Sequence, residues 1–139
     1  MASILKVDEM QGVTSAGDIT ITGEGGSATM QLQQGVAKAW CSLNGTGTIA
    51  VRDSFNTSSI TDHSQGVHSV NLQSSMANDT YVPTGSVIGT SSDNYYSYVT
   101  SDGSNAHLAT GSLRFHIMHY GGTSNDLSRV HVCINGDLA

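Results

Sequence analysis

Residues 37–55, AKAWCSLNGTGTIAVRDSF, decide how the chain is to be read. Val36, Lys38 and Trp40 alternate with Ala37, Ala39 and Cys41, and beyond the glycines Ile49 and Val51 alternate with Ala50 and Arg52. A period of two marks a strand, because successive side chains of a pleated backbone point to opposite faces. Between the runs stands NGTGT, residues 44–48, a hairpin turn whose glycines supply the backbone freedom such turns need. Cys41 then reads as a small buried apolar residue, and Trp40 as a core or interface anchor. Arg52 falls on the face opposite Ile49 and Val51, and Asp62 closes a strand before a glycine turn. Cys41, Arg52, Asp53 and Asp62 are close in sequence, yet this pattern does not bring them together as catalytic partners.

The same alternation runs outward in both directions. GVHSVNL (66–72) sets His68, Val70 and Leu72 against Val67, Ser69 and Asn71. SLRFHIMHY (112–120) places Leu113, Phe115 and Ile117 on one face, and SRVHVCI (128–134) does so with Val130, Val132 and Ile134. Gly, Asn, Asp or Ser clusters bound each run, as they bound strands. Toward the N-terminus, GDITITGEGG (17–26) alternates Ile19 and Ile21 with Thr20 and Thr22. One helix-like window, SATMQLQQGVAKA (27–39), could form a short amphipathic turn that Gly35 weakens. The expectation is an all-β chain: an extended N-terminal arm and attachment segment over 1–34, then an antiparallel β-sandwich, jelly-roll-like, over 35–139. The sandwich is expected to hold seven to nine short strands.

Composition bounds the function. The 139 residues suit one domain. Only 37% are apolar, and Ser, Thr, Asn and Gly together make about two-fifths. That is a weak supply for a self-sufficient core, and oligomerisation is one way to bury the missing surface. The formal charge is −6, with no basic run. Nucleic acid is therefore not expected as a partner. No apolar stretch is long enough for a membrane-spanning helix. MASILKVDEMQG lacks the basic and apolar regions of a secretory signal, so export is expected to follow another route. Cys41 and Cys133 are expected to be free thiols, as in a reducing cytoplasm.

Six histidines, at 63, 68, 107, 116, 119 and 131, are the first candidates for chemistry. HIMH (116–119) would align two rings on a helix but separates them on a strand. With YGGTSND (120–126) as a hairpin loop, His116 falls opposite His131, Phe115 opposite Val132 and Arg114 opposite Cys133. His116 and His131 are then a candidate metal pair, but two ligands fall short of the four of a structural zinc site. A trimer axis could multiply them. Otherwise the histidines read as solvent-facing strand residues. Neither cysteine has the helix N-terminus or basic neighbours that make a reactive thiolate. Asp53, Asp62, Asp79, Asp93 and Asp102 lie among turn-forming residues, where aspartates bond their own backbone. No enzyme activity and no cofactor are expected. Tyr95, Tyr96 and Tyr98, beside Asp93, Asn94 and Asp102, are candidate contacts to a sugar ring or a neighbouring subunit.

One block of sequence goes further. LQQGVAKAWCSLNGTGTIAVRDSFNTSSITDHSQGVHSVNL (32–72), followed by MANDTYV (76–82), resembles a module common in marine bacteriophage genomes. The shared features are Ala37 to Thr48, Arg52, Ser58 to Asp62, Gly66, the alternation from Val67 to Leu72, and Met76, Asn78 and Tyr81. LKVDEMQG and DITITG also resemble the leader of those proteins. Cys41 and Leu43 stand where Val and Phe are usual, and the segment beyond Tyr81 diverges. The resemblance implies a virion structural protein, either a capsid decoration (cement or knob) subunit or a short tail fibre, with no catalytic residues to carry over. It further implies a homotrimer that touches a major capsid or tail protein, assembled into virions in the host cytoplasm. The alternative is a receptor- or glycan-binding adhesin module of a viral appendage.

Overall fold

A computed structural model describes residues 4–15, 18–88, 107–119 and 121–139, together with the backbone of 95–98. The chain divides into two compact units, Met1–Val36 and Ala37–Ala139. In the first, β1 (Thr20–Thr22) pairs antiparallel with β2 (Thr29–Gln31), and a short 3₁₀ turn covers Leu32–Gly35. The Gln31 side-chain amide donates to Asp18 Oδ1 at 2.6 Å. Three-residue strands this exposed bury almost nothing.

The second unit is an all-β sandwich of antiparallel strands. Its first sheet has the order β4 (Ala50–Phe55), β3 (Ala39–Asn44), β11 (Arg129–Asn135), β7 (Val82–Ile88). The second has the order β5 (Thr57–Ser64), β6 (Val67–Leu72), β10 (Ser112–His119), β8 (Tyr95–Tyr98), with β9 (Leu108–Ala109) also on β10. The last two strands are inserted centrally, β11 between β3 and β7 and β10 between β6 and β8. The sequence neighbours β3 and β4, and likewise β5 and β6, pair with each other within their sheets.

The alternating residues fill the space between the sheets. Ala39, Cys41, Leu43, Val130, Val132 and Ile134 come from one sheet. Val70, Leu72, Leu113, Phe115 and Ile117 come from the other, and Met76, Tyr81 and Leu127 close the margins. Burial raises the Tyr81 hydroxyl to about 12. The hydroxyl lies 2.8 Å from the Ser112 carbonyl, to which it donates.

The expected β10–β11 hairpin does not form. The two strands lie in different sheets, and residues 121–128 lead from one sheet to the other. The reason is packing. Each strand turns an apolar face to the core and is already bonded on both edges, leaving no edge for the other. His116 therefore pairs with Val67 and Tyr98, whereas His131 pairs with Ser42 and Ser86.

The crossing from β4 to β5 turns on one residue. Asn56 has φ +53°, the left-handed region that Asn tolerates better than other side-chain-bearing residues. Its amide nitrogen donates to the carbonyls of Lys38 and Ser74, each at 3.0 Å. Its Oδ1 accepts from the Ser74 N–H at 2.6 Å. Asn56→Ala loses these bonds and keeps the unfavourable φ. Urea unfolding should show a loss of about 2–4 kcal/mol, while Asn56→Gly should recover the backbone part of it.

Candidate functional site

The residues singled out in the opening stretch do not converge. Cys41 lies in the core, where burial pushes its thiol up to about 11 and keeps it from acting as a nucleophile. Arg52 is exposed and donates to the Ser128 carbonyl at 3.0 Å. Asp53 Oδ1 accepts from the next N–H in the chain, that of Ser54, at 2.9 Å. Asp62 lies in the other sheet, opposite His68. Cys133 is the cross-strand partner of Trp40, while Cys41 is that of Val132, so the two thiols leave the sheet on opposite faces; both are free.

His116 and His131 are not a metal pair, because the register that would join them does not exist. His116 Nε2 lies 2.6 Å from Ser124 Oγ, and His131 projects from the outer face of the first sheet. Among the described residues, no group of three or more His, Cys, Asp or Glu side chains could hold a metal ion. Tyr95, Tyr96 and Tyr98 form β8, whose backbone pairs with β10; their side chains, with Asp93, Asn94 and Asp102, lie outside the described residues.

Trp40 does not belong to the core. It lies on the outer face of the first sheet with 38% of its surface exposed. The register builds a row across four strands, Phe55–Trp40–Cys133–Thr84, and beside it a second, Asp53–Ser42–His131–Ser86. Val82 and Ile88 extend the outer face at the two ends of β7. A shallow, open groove runs between the rows, bordered by Trp40, Ser42, Thr84, Ser86 and His131. Phe55 and Ile88 are each about half exposed. An indole, a phenyl ring and two aliphatic side chains on one sheet face make a surface suited to contact, and Cys133 and His131 also lie on it.

The histidine that sequence reasoning placed wrongly is His68. It is fully buried on β6, between Asp62 Oδ1, 3.3 Å from Nδ1, and Asp126 Oδ1, 3.5 Å from Nε2. Its ring is tilted against Phe115 with centroids 5.8 Å apart. Burial lowers its pKa from the ordinary histidine value, and the two carboxylates offset part of that shift. The signal was present, since His68 shares its period of two with Val70 and Leu72. Asp126, far along the chain in a connection, carried no such signal.

The class defined by these observations is an antiparallel β-sandwich with exposed aromatic side chains on one outer face. No family model matches the chain, and no curated protein or solved structure is significantly similar to it.

Proposed function

We propose that the chain is a bacteriophage virion structural protein, a capsid decoration or short tail-fibre subunit that works as a homotrimer. The observation that carries this reading is the outer face of the first sheet, where Trp40 and Phe55 stand exposed as cross-strand neighbours and Val82 and Ile88 are exposed at the two ends of β7. An exposed aromatic pair with further apolar side chains on the same sheet face is a candidate place of contact. Tryptophan and phenylalanine are also enriched at protein interfaces. A chain with only 12% charged residues and a small apolar fraction gains most from burying such a face against a neighbour. The resemblance of residues 32–82 to phage appendage modules points the same way.

Two measurements test the reading. Mass spectrometry of purified particles should find the chain, with hundreds of copies for a decoration protein and a few dozen at most for a fibre. Its absence from particles would overturn the proposal. Sedimentation should give a trimer for the native chain and a monomer for Trp40→Ala, because removal of a buried interface tryptophan typically costs more than about 2 kcal/mol.

One observation favours a second reading, in which the groove holds a sugar ring of a host-surface glycan. The half-exposed indole of Trp40 borders the hydroxyls of Ser42, Thr84 and Ser86, a pairing of flat apolar surface with neutral hydrogen-bonding groups. In that case Trp40→Ala would abolish cell adsorption and leave the assembly state unchanged.

A further inference from the structure

We propose that His68, with Asp62 and Asp126, forms a proton-operated latch that holds one end of the sandwich closed at neutral pH and releases it on acidification. This inference is independent of what the protein binds.

The latch lies where three connections meet. The loop after β3 is tied to the β10–β11 connection by the Gly45 N–H, which donates to the Leu127 carbonyl at 2.8 Å. The β5–β6 turn is tied to that same connection by the Gly66 N–H, which donates to Asp126 Oδ1 at 2.6 Å. The Gln65 side-chain amide adds a bond to Asn125 Oδ1 at 3.2 Å. His68 lies beneath all three. A β-carbon on Gly45 would come within 3.2 Å of its Nε2, so the imidazole has no room to swing toward that loop.

The charges around the ring create the sensitivity. A neutral imidazole carries one N–H, so one nitrogen of His68 must present its lone pair to a carboxylate. The contacts of 3.3 and 3.5 Å are longer than a well-made N–H···O bond. Neither nitrogen therefore has a strong partner while the ring is neutral. A proton would give both nitrogens something to donate, but it would place a charge on a ring with no exposed surface, facing carboxylates that water partly screens, and the burial effect is the larger one. His63, on the neighbouring position of β5, adds a further unfavourable interaction with a charged ring. From β10 the facing group is the uncharged ring of Phe115; Arg114 and His116 alternate onto the other face of that strand.

The sign follows from linkage. The folded-state pKa of His68 lies below the value of 6.5 that the residue has when exposed. The stabilising contribution is complete above that exposed value. It is lost as pH falls from there toward the folded-state pKa, because the opened form takes up the proton that the closed form refuses. Opening frees Asp126 from Gly66 and lets water reach the imidazole. The far end of the same strands, around Ala39, Tyr81 and Ile134, contains no fully buried histidine among the described residues and stays closed.

Hydrogen–deuterium exchange of the full chain at pH 7.5, 6.0 and 5.0, corrected for intrinsic exchange, tests this. Opening of residues 62–68 and 121–128 should increase by up to about tenfold per pH unit below 6.5, with little change at Ala39–Cys41. His68→Phe, which keeps an aromatic ring against Phe115, should lose that increase. An unchanged increase in His68→Phe, or none in the native chain, would overturn the latch. Should His68→Phe fail to fold, the imidazole resonances of the native chain decide. Titration of His68 below 6.5 supports the proposal, and titration at or above 6.5 would make the cluster a proton-stabilised clamp and overturn it.

Discussion

Gly66→Ala is expected to cost the sandwich about 3–5 kcal/mol and to leave little folded protein at 37 °C. Two independent effects combine. Gly66 has φ +73°, a region that costs a residue with a β-carbon roughly 1–2 kcal/mol. The added carbon would also fall 2.6 Å from the Ile117 carbonyl oxygen and 2.8 Å from the Asn125 nitrogen. Both are backbone atoms, held by the Ile117 N–H donating to the Gly66 carbonyl at 2.7 Å and by the Asn125 N–H donating to the Ile117 carbonyl at 3.2 Å. They cannot withdraw without breaking the contact between the β5–β6 turn and the β10–β11 connection. A control separates the two effects. Gly47 has φ +66° with open space around its α-carbon, so Gly47→Ala should show the backbone cost alone, about 1–2 kcal/mol. Equal losses at the two positions, measured by urea denaturation, would refute the steric part.

Phe115→Ala is expected to cost a similar amount, about 3–5 kcal/mol, typical of removing a buried phenylalanine. Phe115 is only 1% exposed and is the largest fully buried side chain among the described residues. It lies on the central strand β10, and its ring meets His68 on one side. The cavity would open in the middle of the second sheet's inner face, where both flanking strands are held by backbone bonds and cannot collapse inward. Domains of this size are typically stable by only 5–15 kcal/mol, so the variant should unfold at much lower urea. Phe115→Leu should recover more than half of the loss. A fall of under about 1 kcal/mol for the alanine variant would mean that Phe115 is less confined than its burial indicates.

Strand identity was legible in the sequence because burial in a sandwich leaves a period-two trace. Leu113, Phe115 and Ile117, and likewise Val130, Val132 and Ile134, alternate in the sequence and lie in the core. The NGTGT turn was legible for a different reason: two glycines between alternating runs leave few alternatives to a hairpin. The pairing of β10 and β11 was not legible. Adjacent strands joined by a turn-rich segment usually pair, and nothing local in YGGTSND distinguishes a hairpin from a crossing between sheets. The choice was made by partners distant in sequence, β6 and β8 for one strand and β3 and β7 for the other.

The candidate site followed the same division. The sequence left Trp40 as a core or interface anchor, and its side of the sheet depended on which neighbours of the alternation were buried. Ala39, Cys41 and Leu43 went inward, and Trp40 went to the outer face with Phe55. His68 could have been placed by its alternation with Val70 and Leu72, had a histidine not been assumed to seek water. Its second carboxylate could not, because Asp126 reaches it only through the fold.

By itself, then, the sequence determined an all-β chain, the strands that alternate apolar and polar residues and the hairpin turn, since these depend on side-chain alternation and glycine chemistry within a few residues; β7, with Pro83 and Gly85 in its run, left no such trace. Only the tertiary structure decided which strands share a sheet, which face Trp40 takes, and that His68 lies between Asp62 and Asp126. Those outcomes rest on backbone edges competing for partners and on apolar surface leaving water, and both are settled between segments far apart in the chain.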